Sequence, residues 1–169
     1  MANVDLSRVP LFYHKYIDQI KDAELAAAFQ KHENVLDSIL KDLPEEKWNY
    51  RYAEGKWSVK ELVQHIIDAE RIFCYRALRF ARKDTAELPG FDENKFAEAA
   101  QAEKRNKEDL LDELNIVERS SAQLFASFDE EQLDQSGIAN GNSVYVKAIG
   151  FIIVGHTIHH KNILLEKYL

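Results

Sequence analysis

Residues that break helices are scarce in this sequence, which has three prolines and six glycines among 169 positions. That shortage favours long helices. Cysteine is almost absent, and Cys74 on its own closes no internal disulfide, as expected in a reducing compartment. No apolar run approaches the roughly 18 residues of a membrane span, and the opening MANVDLSRVP lacks the charged-then-apolar pattern of a secretory signal. The expected address is therefore the cytoplasm, with no membrane partner. Positive charge is in deficit as well, 22 basic against 29 acidic residues for a net charge of -7. A field of that sign repels phosphate backbones and anionic lipid, so nucleic-acid binding is not expected. One local exception, Arg71, Arg76, Arg79, Arg82 and Lys83, shares its segment with Asp68, Glu70 and Asp84. It reads as a solvated helix end with cations near the C-terminal dipole, and a small anionic substrate is the alternative.

Against these absences stands a strong 3.6-residue period. The length fits one domain spanning 1–169, with 1–21 an N-terminal arm or short helix in which Leu11, Phe12, Tyr16 and Ile20 are apolar. Over 22–42, Leu25, Phe29, His32, Leu36 and Ile39 fall at helical spacing, followed by Leu43, until Pro44 stops the pattern. A second helix starts near Val59, with Ser58 as cap, Glu61 as its capping-box partner and Trp57 placed to staple onto Leu62. Its stripe takes in Leu62, His65, Ile66, Ala69, Ile72, Phe73 and Phe80, and Cys74 points the opposite way. A connection of about 20 residues follows, with a Pro89-Gly90 turn and helix from Asn94 on, longer than neighbouring antiparallel helices need. It predicts a crossover. A third helix runs from about Glu103 to Phe128, and a fourth is capped by Asn142 or Ser143. No strand pattern is evident. Four long helices with one long crossover make an all-α four-helix bundle, whose sites are built from side chains projecting inward.

The last helix carries GHTIHHKNILL, three histidines in five positions. His156 and His160 are spaced i, i+4 on a sector shared with Tyr145, Ile149, Ile152, Ile153 and Ile163, so two imidazoles stack on one buried face. His159 lies at the edge of that stripe. Its i, i+3 pairing with His156 stays open, although the centre of the apolar sector favours His160. Few hydrogen-bond partners are available in such a core, and a shared metal would satisfy several rings at once. With His65 added, three neutral nitrogen donors match the count of a catalytic site that keeps an open position. A core histidine bonded to a carbonyl or carboxylate is the plainer reading for each ring alone, and it is the one given to His14 and His32. Asp68 is a candidate to orient an imidazole or act as a base, with simple solvation the commoner alternative. Glu61 is accounted for as a cap, and Glu70 by an ion pair. A second apolar stripe on the last helix, Phe151, Val154, Ile158 and Leu165, is covered either by the N-terminal arm or by a second subunit, and a homodimer is one expectation.

The stretches YRYAEGKWSVKELVQHIIDAERIFCYRALRFAR, LPGFDENKF and GHTIHHKNILLEKYL together resemble the DinB-like (DinB/YfiT-like) superfamily of metalloenzymes, over about Leu25 to Leu169. The resemblance implies an up-down-down-up bundle and a divalent metal, zinc or nickel, on three histidines that match His65, His156 and His160 here. It also implies an enzyme acting on a small molecule, either an S-transferase using a low-molecular-weight thiol such as bacillithiol or mycothiol, or a hydrolase. The competing expectation is a non-catalytic helical stress-response or interaction module, its histidines core residues or a structural metal site.

Overall fold

The computed structural model describes residues 4–169, so positions 1–3 of the expected arm lie outside the described residues. In chain order the helices are α1 (Leu11–Ile17), α2 (Leu25–His32), α3 (Asp37–Leu40), α4 (Glu45–Trp48), α5 (Val59–Ala81), α6 (Glu93–Ala100), α7 (Lys107–Ala126) and α8 (Glu130–Asp134). A hairpin of β1 (Ser136–Ala139) and β2 (Asn142–Tyr145) then leads into α9 (Val146–Ile163), which ends in a π-helical turn, Leu164–Tyr168. The start of α5 is the expected one. Ser58 Oγ accepts the Glu61 amide at 3.2 Å while Glu61 Oε2 accepts the Ser58 amide at 2.6 Å, which satisfies two otherwise orphaned donors reciprocally.

Side-chain pairs give the direction of each helix. Along α5 and α7, Gln64 meets Arg105, Cys74 meets Ser121 and the Arg82 guanidinium lies over Phe128, so the two run parallel. Along α5 and α9 the order reverses, from the Trp57 carbonyl bonded to Tyr168 to Phe80 packed on Gly137, just ahead of α9. The α2–α3 segment is antiparallel to α7, with Phe29 stacked on Phe125 and Asp37 bonded to Asn115. The molecule is thus a four-helix bundle of up-down-down-up order, in which the crossover carrying α6 joins the two parallel members. Its middle is stitched to the hairpin: Leu88 donates to Ile138 O and accepts from Asn140, both at 2.9 Å.

Several sequence expectations are corrected. The helix expected over 22–42 is broken, because Asn34 takes a left-handed φ of 71° and turns its amide toward the buried Glu118 carboxylate at 3.4 Å. Asparagine tolerates that conformation, and a buried carboxylate requires the donor. The expected absence of strands is also overturned. Ser136 pairs with Tyr145 and Ala139 with Asn142, around an Asn140-Gly141 turn with φ of 52° and 71°. That dipeptide in left-handed conformation is the signature of a two-residue hairpin. The hairpin takes up the residues expected to cap the last helix, so α9 begins at Val146 rather than just after Asn142 or Ser143. The third long helix starts at Lys107 rather than Glu103, after a 3-10 turn at Ala102–Lys104.

The second apolar stripe of α9 is covered within the chain. Phe151 and Val154 are buried, and α1 lies so close that a Cβ on Gly155 would sit 2.2 Å from the Tyr16 carbonyl oxygen. Farther along, Ile158 is half-buried and Leu165 exposed.

The core is divided in two. Near the start of α5, Leu62, Ile66 and Ile67 pack with Leu36, Leu114 and Leu164; toward its end, Phe73 and Phe80 pack with Phe29, Phe125 and Ile152. On α7 and α9 the buried polar residues, Glu118 and Ser121 on one and His156, Thr157 and His160 on the other, fall between these two sets.

Candidate metal centre

His65 projects from the second turn of α5, and His156 and His160 from successive turns of the facing α9. Antiparallel packing brings them together. The Nε2 atom of His156 lies 3.1 Å from that of His65 and 3.1 Å from that of His160. One ring nitrogen from each of the three falls within 4.8 Å of the others. His156 and His160 are 6 % and 8 % exposed, and His65 is half-buried.

Burial lowers the pKa of all three rings. It takes His65 down to about 4, with the Glu93 carboxylate pulling the other way. His156 falls well below the ordinary value through burial, then through its neighbours His160 and His65, and His160 through burial, His65 and His159. At neutral pH the rings are uncharged, the form in which imidazole binds a metal. Uncharged rings cannot satisfy this geometry by themselves. A ring nitrogen carries either one proton or one lone pair, so His156 Nε2 makes at most one of its two 3.1 Å contacts as a hydrogen bond. The other contact is repulsive. A divalent ion accepting all three lone pairs removes the conflict, and tetrahedral donors about 2.0–2.1 Å from zinc stand roughly 3.3 Å apart. The donor set therefore fits a first-row metal.

The rings are enclosed by aromatic side chains. Trp57 lies 4.6 Å from His65 between centroids, Tyr16 edge-on to His156 at 5.4 Å, and Phe73 at 6.0 Å from His156. Of these, Trp57 was expected as a helix staple, and Tyr16 comes from the N-terminal arm, whose periodicity gives no sign of this contact. Glu93, on the first turn of α6, acts electrostatically on both His65 and Tyr16, which places the crossover beside the centre.

The other candidates lie apart. His159 is half-buried against Tyr16 and is not among the three converging rings. His14 Nε2 pairs with the Val9 carbonyl at 3.0 Å. Asp68 accepts from Gln64 at 3.0 Å, and its carboxyl is pushed up by burial. Cys74 donates to Ser121 Oγ at 3.1 Å, and burial pushes its thiol up to about 12. His32 and Glu70 form a separate buried pair at 3.2 Å, with Glu118 Oε1 4.0 Å from the same ring nitrogen.

Residues 28–164 match the model of the DinB superfamily, a stretch that includes all three histidines. The chain belongs to the DinB superfamily. It is 27% identical over 149 residues to "Putative metal-dependent hydrolase OB0413" of Oceanobacillus iheyensis, covering 87% of this chain and 80% of that one. It is 24% identical over 146 residues to YjoA of Bacillus subtilis, covering 82% of each. Among solved structures, YfiT of Bacillus subtilis, described as a probable metal-dependent hydrolase with an unusual four-helix bundle topology, superimposes with a TM-score of 0.73 at 16% identity, over 89% of this chain and 84% of that one. The crystal structure of the DinB-like YjoA gives 0.61 at 22% identity, over 85% and 87%. No helix among the described residues is long and apolar enough to cross a membrane.

Proposed function

We propose that this DinB-superfamily chain is a metal-dependent hydrolase whose divalent ion, zinc or nickel, is held by His65, His156 and His160. The observation that carries the reading is the pair of 3.1 Å contacts at His156 Nε2, which hydrogen bonding alone leaves half unsatisfied. The names carried by the relatives support it. Held by three neutral nitrogens, such an ion is a Lewis acid that brings the pKa of a water in its open position toward neutrality. The chain supplies the rest. Its buried rings stay unprotonated and ready to ligate, while Trp57, Tyr16 and Phe73 limit the water that reaches them. Asp68, held by Gln64 on the same helix, is a weak candidate for proton transfer and carries no step of this proposal.

Metal content by mass spectrometry, joined to hydrolysis of a panel of activated esters and amides, tests the reading. Wild type is expected to hold about one first-row metal per chain, and His65→Ala, His156→Ala and His160→Ala to lose it together with activity. His159→Ala keeps its metal. Metal-free wild type, or stoichiometric metal in His160→Ala, overturns the assignment. Running the panel with bacillithiol, cysteine or glutathione separates the hydrolase from an S-transferase built on the same centre, since transfer consumes thiol in proportion to product.

A further inference from the structure

Arg76 is 4 % exposed, on the α5 face three turns beyond His65, and among the described residues its charge has no partner of opposite sign. Five other arginines, with side chains 29–51 % exposed, reach carboxylates. Around Arg76, among the described residues, no carboxylate lies within 4.0 Å. A guanidinium cannot shed its proton and carries five N–H donors in a planar fork. One donates to the Pro89 carbonyl at 2.9 Å, and the positive charge acts on the nearby Tyr13 hydroxyl, whose pKa it lowers against the effect of burial. None of the nitrogens is both sealed from solvent and without a partner, so the unused donors face space that water reaches. Pinning the crossover through Pro89 requires one donor and no charge, whereas burying the whole cation without an anion is costly.

Arg76 is joined to the histidines by one aromatic wall. Its guanidinium carbon lies 6.0 Å from the Phe73 ring centroid, and that ring lies 6.0 Å from His156. Tyr13 packs on Phe73 at 6.0 Å and on Tyr16 at 6.3 Å, and Tyr16 returns to His156 at 5.4 Å. Both tyrosines stand on α1, outside the residues matched by the family model, so this aromatic wall is built partly from sequence beyond the family likeness. A fork of N–H donors with no protein carboxylate, at one end of an apolar wall with three metal-binding rings at the other, suits a carboxylate on an otherwise apolar molecule.

We propose that Arg76, assisted by the Tyr13 hydroxyl, binds a carboxylate group of the substrate, and that the substrate class is small carboxylic acids whose hydrolysable bond lies past an apolar spacer. The proposal rests on the hydrolase reading for its chemistry and on Arg76 alone for its binding. The two are separated by calorimetry on the zinc-supplemented protein with 4-phenylbutyrate and its neutral twin, 4-phenylbutanamide. Wild type binds the acid at least tenfold more tightly than the amide. Arg76→Gln abolishes that preference, Arg76→Lys reduces it severalfold by keeping the charge and losing the fork, and His65→Ala retains it. Equal binding of acid and amide by wild type, or a preference intact in both Arg76 variants, overturns the anion site whatever the metal analysis shows. A preference lost in His65→Ala but kept in Arg76→Lys puts the carboxylate on the metal instead, and refutes Arg76 while leaving the hydrolase reading in place.

Discussion

At the scale of single residues, the polar core is divided between two kinds of histidine. His65, His156 and His160 face one another and share no anion, and burial drives them toward the neutral ligand form. His32 faces Glu70 and Glu118. Burial would lower its pKa, but the hydrogen bond and charge of Glu70, with the charge of Glu118, raise it instead. Burial pushes Glu118 itself up to about 7, against the attraction of His32 and with added repulsion from Glu70. A carboxyl whose folded pKa exceeds its unfolded value of 4.5 gives stability that is complete below 4.5 and gone once pH has risen through about 7. At about 1.4 kcal/mol per unit, unfolding free energy should fall by roughly 3 kcal/mol across that window on account of this group. Glu118→Gln, neutral at every pH, should flatten the fall, as urea titrations at pH 4.5, 5.5, 6.5 and 7.5 would show. A wild-type profile no steeper than the variant's would mean that Glu118 is not held protonated.

At the scale of elements, the decisive contacts are those that dock short segments on long helices. The α1 segment reaches the three-histidine cluster only because Gly155 presents no side chain to the Tyr16 carbonyl. Gly155→Ala should displace α1 and destabilise the fold by about 1–3 kcal/mol, the usual range for overpacking. Limited proteolysis is expected to cut the connection between α1 and α2 sooner in that variant, and an unchanged digestion rate would show that α1 is not held there. The capping box of α5 makes a smaller prediction. Ser58→Ala removes the acceptor for the Glu61 amide and should cost about 1 kcal/mol in denaturant unfolding with an unchanged m-value. The hairpin between α8 and α9 holds the crossover by hydrogen bonds to Leu88, and Gly141, at a φ of 71°, has no inexpensive replacement. Its Asn-Gly signal was present in IANGNSV, but strands of four residues are too short to show a period of their own.

For the whole molecule, metal and fold should be linked, because the three histidines come from two helices that meet only in the folded bundle. Zinc at a hundred times its Kd adds about 2.7 kcal/mol to unfolding free energy, and a chain of this size gains roughly 2–4 °C in Tm per kcal/mol. Differential scanning calorimetry should therefore register an upward shift of about 5–10 °C in wild type and none in His65→Ala. A shift of equal size in both would place the zinc elsewhere.

Much of this was legible without coordinates. Helical period, few breakers and one sharp capping box determined a bundle of long helices, and i, i+4 spacing put His156 and His160 on one face, because both signals are local in the chain. The break at Asn34 was not, since it answers to a carboxylate on a helix more than eighty residues away. Nor was the packing of Tyr16 on His156, or the burial of Arg76 with a carbonyl in place of a carboxylate. Those depend on which surfaces meet once the helices pack. Sequence alone determined the helices, the donor pair on α9 and His65 as the expected third ring; only the tertiary structure brought the three rings together and decided which residues enclose them, because backbone periodicity is set by neighbours along the chain and a binding site by neighbours in space.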